Sequence, residues 1–364
     1  MEKNLDDLTE GLSRRAILKA GLLAGGILLT NPLSLFGNDD SAEEKDSLDL
    51  RIEKVSQYKM PFQRKDHGAV IVRNNLYVVG GSDEKSNPVP NVLVAQLKDN
   101  LEFAETSSLP KEATFTGAVT NGTHVYVFSP QLKKVFFTSI KEDGKLSEWK
   151  ESPYNLPTNA TSTFVTDSKR LYVIGGQDSN SGSKGYHDEV WVSEIDSNGN
   201  PSSWTDKTPR LQIRRSGHGA VSLNEKLYVV GGWQYHSPFE LNDVQVAEIK
   251  DKELKEFRKV KLPSPKVRIH SVTAQKINDQ DYLFSFGGAT GEDSKATNEL
   301  RYALVKPNGA TESWTSLPTE LNPVYESATA WNENDLYVVG GWNGKTTYNS
   351  VTKLKVTPKK SKLF

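Results

Sequence analysis

The chain contains no cysteine. That excludes disulfides, thiolate metal sites, a cysteine nucleophile and a lipidated N-terminal cysteine, and it removes redox chemistry as a guide to compartment. It also lacks an excess of either charge: 45 Lys and Arg stand against 46 Asp and Glu, for a formal net charge of −1. No polyanion footprint follows from that balance, so nucleic acid is not expected as a partner. Long apolar runs are missing too. The best one, Ala20 to Leu29, is followed by Asn31-Pro32 and falls short of the ~20 residues that span a bilayer.

That run has a distinctive lead-in, "SRRAILK" from Ser13 to Lys19. Paired arginines before a modest hydrophobic stretch resemble the twin-arginine export signal. The resemblance implies a protein of the periplasm or the extracellular space. Leu35-Phe36-Gly37 is a poor cleavage site, because signal peptides end on small residues. Membrane contact is therefore expected only through an uncleaved anchor. Residues 1–37 read as signal or anchor, 38–50 as an acidic linker, and 51–364 as the folded body.

The body repeats one phrase. "LYVVGG" occurs at 76–81, 227–232 and 336–341, and "LYVIGG" at 171–176. Gly287-Gly288 closes a similar run, and "HVYVFSP" at 124–130 has the strand with Ser129-Pro130 in place of the glycines. These strand ends lie 46 to 56 residues apart, a period typical of propeller blades. Each unit opens on a small-residue run such as "HGAVIV" (67–72) or "HGAVSL" (218–223). Next come the β-branched LYVVGG strand, then an alternating strand such as "DVQVAEI" (243–249), then an aromatic and a proline, as at Trp149, Trp204 and Trp314. Asp143-Gly144, Asn198-Gly199 and Asn308-Gly309 supply hairpin turns between the last two strands.

This order of parts resembles the kelch repeat, a four-stranded propeller blade. The resemblance covers about 51–357 and implies an all-β, six-bladed propeller. The C-terminus stops after a third strand, Ser350 to Val356, while "RIEKVSQYKMP" at 51–61 is spare. The N-terminal strand is thus expected to complete the last blade, since closing the ring removes exposed sheet edges. Only the loop after Ser129-Pro130 is left undefined.

Two residue sets stand out as site candidates. The loops after Gly-Gly hold Trp233, Tyr235, His236 and Phe239, with Trp342, Tyr348 and Tyr186 in equivalent loops. Aromatic faces beside polar groups suit sugar rings and also peptides. Trp233 and Trp342 are expected to flank a groove on one face of the ring. The second set precedes the inner strands: Arg64, Asp66 and His67, then Arg215 and His218, then Arg268 and His270, and finally Glu326. Asp66 and Glu326 belong to neighbouring blades of a closed ring, so a carboxylate pair with Arg nearby can move protons. The competing expectation is that Arg and His here tie one blade to the next.

No metal or other cofactor is expected. His67 and His218 fall on opposite blades, and Asp178, Asn180 and Glu189 in "DSNSGSKGYHDE" lack two features of a calcium loop. Copper oxidase chemistry, known among kelch enzymes, uses a Tyr–Cys crosslink that this chain cannot form. The leading expectation is a module binding a glycan or peptide outside the cytoplasm. The alternatives are a sugar mutarotase-like isomerase, suggested by the resemblance to other exported kelch propellers, and a scaffold for another protein.

Overall fold

The computed structural model describes residues 49–178, 182–237 and 239–359. The export signal and most of the linker lie outside the described residues, as does Asn180. Among the described residues no helix is long and apolar enough to cross a membrane.

Six small antiparallel sheets form the blades of a propeller. Their inner strands are Gly68–Val72, Gly117–Thr120, Thr163–Thr166, Gly219–Leu223, Ser271–Ile277 and Ala328–Asn332. Each pairs with the LYVVGG-type strand that follows, whose residues are buried on both sides: Leu76, Tyr77, Val78 and Val79 in the first blade, Leu227 to Val230 in the fourth. A sheet covered on both faces calls for such an unbroken apolar run. The third strands are buried at one end and alternate at the other: Val244–Lys250 is buried through Ala247, then Glu248 and Lys250 are exposed on either side of buried Ile249. The fourth are short. In blade three the fourth strand shrinks to a bridge between Val192 and Thr205, beside Trp204.

Blade six takes its outer strand from the other end of the chain. Leu50–Lys59 runs antiparallel to Ser350–Pro358, from Leu50 opposite Pro358 to Lys59 opposite Ser350. The strand starts at Leu50, which is wholly buried with Tyr302, Leu354 and Val356.

The glycine pairs serve contact between blades. A Cβ on Gly340 would stand 2.6 Å from the Arg64 carbonyl and 2.8 Å from the His67 ring, so no other residue lets blade six approach blade one this closely. Blade two shows what the absent pair changes. Pro130–Lys133 makes a short turn, closed by Lys133 N–H donating to the Pro130 carbonyl at 3.0 Å, and no long loop rises there over the axis.

Candidate functional site

The residue two positions before each inner strand faces the mouth of the axial channel. In five blades its backbone is left-handed: Asp66 (φ 54°), Phe115 (51°), Gly217 (57°), Ile269 (53°) and Glu326 (57°). In blade three Thr161 takes the place. Left-handed backbone costs a non-glycine residue roughly 1–2 kcal/mol, and for β-branched Ile269 it is an outlier. Part of the cost is offset by bonds to the next blade. The Asp66 carbonyl accepts from Thr116 N–H at 2.9 Å, and the Gly217 carbonyl from Ile269 N–H at 2.6 Å. Strain held by its surroundings concentrates at functional sites.

These residues line a cavity of about 380 Å³ together with Gln177 and Trp233. Carboxyls occupy one side, on blades six and one. Phe115 and Ile269 form apolar walls on blades two and five, and Phe115 is 49% exposed. Burial pushes the Asp66 carboxyl up to about 6, opposed by the Lys65 ammonium. Burial, and then the Asp66 charge, push Glu326 up to about 8. Glu326 Oε2 is buried without a hydrogen-bond partner.

The arginines expected at this site are turned away from it. Arg215 is fully buried, donates to both carboxylate oxygens of Asp243 at 2.8 Å and to the Gly231 carbonyl at 2.9 Å. Arg268 pairs with Glu240 and donates to the Gly291 carbonyl and Ser294 Oγ, both at 2.8 Å. Its guanidinium stands 5.1 Å over the Trp233 ring and so fixes that indole at the cavity edge. Arg64 is buried too, its guanidinium 5.6 Å from the centre of the Phe62 ring. None of the three lines the cavity.

His67, His218 and His270 lie on the channel wall, each tucked beneath the glycine pair of the preceding blade. His270 Nε2–H donates to the Val230 carbonyl at 3.1 Å, and Nδ1 accepts from Ser285 Oγ at 2.6 Å. Burial, then the charge of Arg64 or Arg301, depresses His67 and His270 to about 3. Burial and then Arg215 hold His218 well below its ordinary value. All three are neutral at physiological pH. Among the described residues no group of three or more His, Asp or Glu is placed to hold a metal ion.

The aromatic set divides. Trp233 lines the cavity, edge-on to Phe239. Trp342 does not; it packs edge-on to Tyr325, under the Lys65 ammonium at 4.1 Å. Tyr186 is buried, while Tyr235 is 54% exposed and stacks edge-on with His236 outside the cavity. The expected groove between Trp233 and Trp342 is therefore replaced by a cavity bounded by Trp233, Phe115 and Ile269. Sequence reading missed the last two. Their signal was register: both occupy the position of Asp66 and Glu326 in their own blades.

Replacing Ile269 with Gly tests whether this backbone is strained for the mouth. Relief of left-handed strain offsets lost contacts, so stability in urea is expected to stay within about 1 kcal/mol of the parent. A loss beyond about 2 kcal/mol, the range of core truncations, would make Ile269 a packing residue.

The Kelch motif matches residues 63–94 and 214–246, which fall in blades one and four, the blades carrying Arg64–His67 and Arg215–His218. The chain is also similar to a solved structure described as "Structure of YjhT", with a TM-score of 0.60 and 14% identity over 83% of this chain and 99% of that one. At that identity the likeness concerns the fold. No curated protein matches the chain in sequence. The protein is a six-bladed β-propeller that carries Kelch motifs in its first and fourth blades.

Proposed function

We propose that the protein is a ligand-binding propeller that takes a saccharide in its axial cavity. One observation carries the reading: Asp66 and Glu326 share a cavity with Phe115, Ile269 and Trp233, and no protein cation lines it. The volume suits roughly one small ligand. Carboxyls accept from hydroxyls, a protonated Glu326 also donates, and the apolar walls meet the C–H faces of a ring. Glycan and peptide arrays probed with the full chain test this directly. For the ligand they select, Phe115→Ala is expected to weaken binding about tenfold, with an unchanged melting temperature, because the ring is half exposed. Binding untouched by Phe115→Ala would place the ligand elsewhere, and selection of peptides alone would replace the saccharide.

A second reading has its own support. Two carboxyls held near 6 and near 8 give one base and one acid around neutrality, which suits a mutarotase-type isomerase. Exchange between the anomers of the selected sugar, followed by NMR, separates the two: catalysed exchange lost in Asp66→Asn identifies an enzyme, and exchange at the uncatalysed rate a binder.

Export by the twin-arginine route belongs to the same proposal and rests on Arg14-Arg15 before Ala20 to Leu29. The double change Arg14→Lys, Arg15→Lys is expected to hold folded protein in the cytoplasm. Undiminished export of the double variant would point to another route.

A further inference from the structure

The charges around the mouth are arranged unevenly. Four cations surround the cavity and each is held elsewhere: Arg215 by Asp243, Arg268 by Glu240, Arg64 by Phe62 and the Gln63 carbonyl, and Lys65 above the Trp342 ring. The histidines that line the cavity are neutral. What faces the interior is therefore two carboxyls and no positive charge.

A second, independent feature concerns the cavity floor. His67 and His218 are 6% and 4% exposed and line the cavity, yet neither imidazole has a side-chain hydrogen-bond partner. His270 bonds to both the Val230 carbonyl and Ser285 Oγ; His67 and His218 keep the equivalent carbonyls, of Val339 and Ile174, and lack the hydroxyl. Buried polar atoms are nearly always satisfied in native proteins. Two imidazoles and one carboxylate oxygen, Glu326 Oε2, are left without a side-chain partner on the walls of one cavity.

We infer that the axial cavity accepts a ligand bearing a single ammonium group, seated between Asp66 and Glu326, with its carbon skeleton against Phe115, Ile269 and Trp233. This rests on the axial site proposed above and names the chemistry of its occupant. Charge balance sets the count at one. At neutral pH Asp66 is ionised and Glu326 is protonated; an arriving ammonium lets Glu326 release its proton, and together with Lys65, which acts from outside the cavity, it balances the two carboxylates. An ammonium donates three hydrogen bonds, enough to reach both carboxyls and keep one donor for a neutral floor imidazole. An anionic ligand would add negative charge beside Asp66 in a site with no lining cation, and like charges brought together there are strongly disfavoured.

Isothermal titration of the full chain with the methyl glycosides of glucosamine, glucose and glucuronate, and with butylamine, tests the inference. The glucosaminide is expected to bind at least about tenfold tighter than the glucoside, as one charge-assisted hydrogen bond allows, with the glucuronide weakest. Glu326→Gln and Asp66→Asn are each expected to bring glucosaminide and glucoside within about twofold of each other, with thermal melting as the control for folding. Butylamine separates sources of the group: binding comparable to the glucosaminide admits any alkylammonium, and weaker binding assigns an amino sugar. Equal affinities for glucosaminide and glucoside, both reduced by Phe115→Ala, would overturn the ammonium inference and keep the site. Affinities insensitive to Phe115→Ala would overturn both. A glucuronide that binds best, or no heat from either amine, would also overturn the inference.

Discussion

Deleting Leu50–Lys59 is expected to remove most of the protein's stability and to make it self-associate. Nine residue pairs join this strand to Ser350–Pro358. Leu50 is fully buried, and its N–H donates to the Tyr302 hydroxyl in blade five at 3.1 Å. Just beyond the strand, Met60 is tied to Asn349 by bonds of 2.8 and 3.0 Å. Truncating one buried leucine costs about 2–5 kcal/mol, and losing the whole strand adds an unpaired edge along Ser350–Pro358. Against a typical total of about 5–15 kcal/mol, little stability would remain. Exposed edges also template pairing between molecules. Urea denaturation and size-exclusion chromatography check this: a deletion variant as stable and monomeric as the parent would mean that another element closes the ring.

Glu326→Gln is expected to stabilise the protein at alkaline pH. Asp66 and Glu326 ionise near 6 and 8 when folded, against ordinary values of 3.8 and 4.5. Between about pH 4 and pH 8 the folded state therefore binds more protons than the unfolded state. The pair's favourable contribution is full below pH 4 and is lost as pH rises through 6 and then 8. By pH 8.5 both carboxyls are largely ionised when folded, so the folded state carries most of the cost of the pair's charge there. Glutamine keeps the shape of the side chain and removes the ionisation. The melting temperature of the variant should exceed that of the parent at pH 8.5 and match it near pH 4. Comparing variant with parent isolates the pair from Asp243, which Arg215 holds below its ordinary value and whose contribution is instead lost on acidification. A variant no more stable than the parent at pH 8.5 would show that Glu326 already has its counter-charge. Groups kept at a cost to stability are characteristic of binding sites.

The ring was legible because its signal is repeated. LYVVGG returns with period and composition that only a blade core explains, and the strand count at the two ends predicts the closure seen between Leu50–Lys59 and Ser350–Pro358. Turn chemistry was legible in part. Gly144, Gly199 and Gly309 are left-handed, as those turns require. The tight turns at Arg73-Asn74, Asn224-Glu225 and Asn278-Asp279 are left-handed too, with no glycine to announce them. The site was harder to read. A guanidinium looks free in a sequence, but the partners of Arg215 and Arg268 each lie 28 residues away, on Asp243 and Glu240. Phe115 and Ile269 carry no chemistry that draws attention, and only their register with Asp66 and Glu326 makes them walls of the same cavity. Trp342 gave the opposite difficulty. It follows Gly-Gly as Trp233 does, yet Lys65 and Tyr325 cover it.

The most direct measurement is a crystal structure of the protein with the saccharide that the array selects. The account predicts that the ligand lies between Phe115, Ile269 and Trp233, within hydrogen-bonding distance of the Asp66 and Glu326 carboxyls. A ligand seated anywhere else, for example in the groove lined by Arg170, Lys207 and Glu253 between blades three and four, with the axial cavity holding only water, would contradict it.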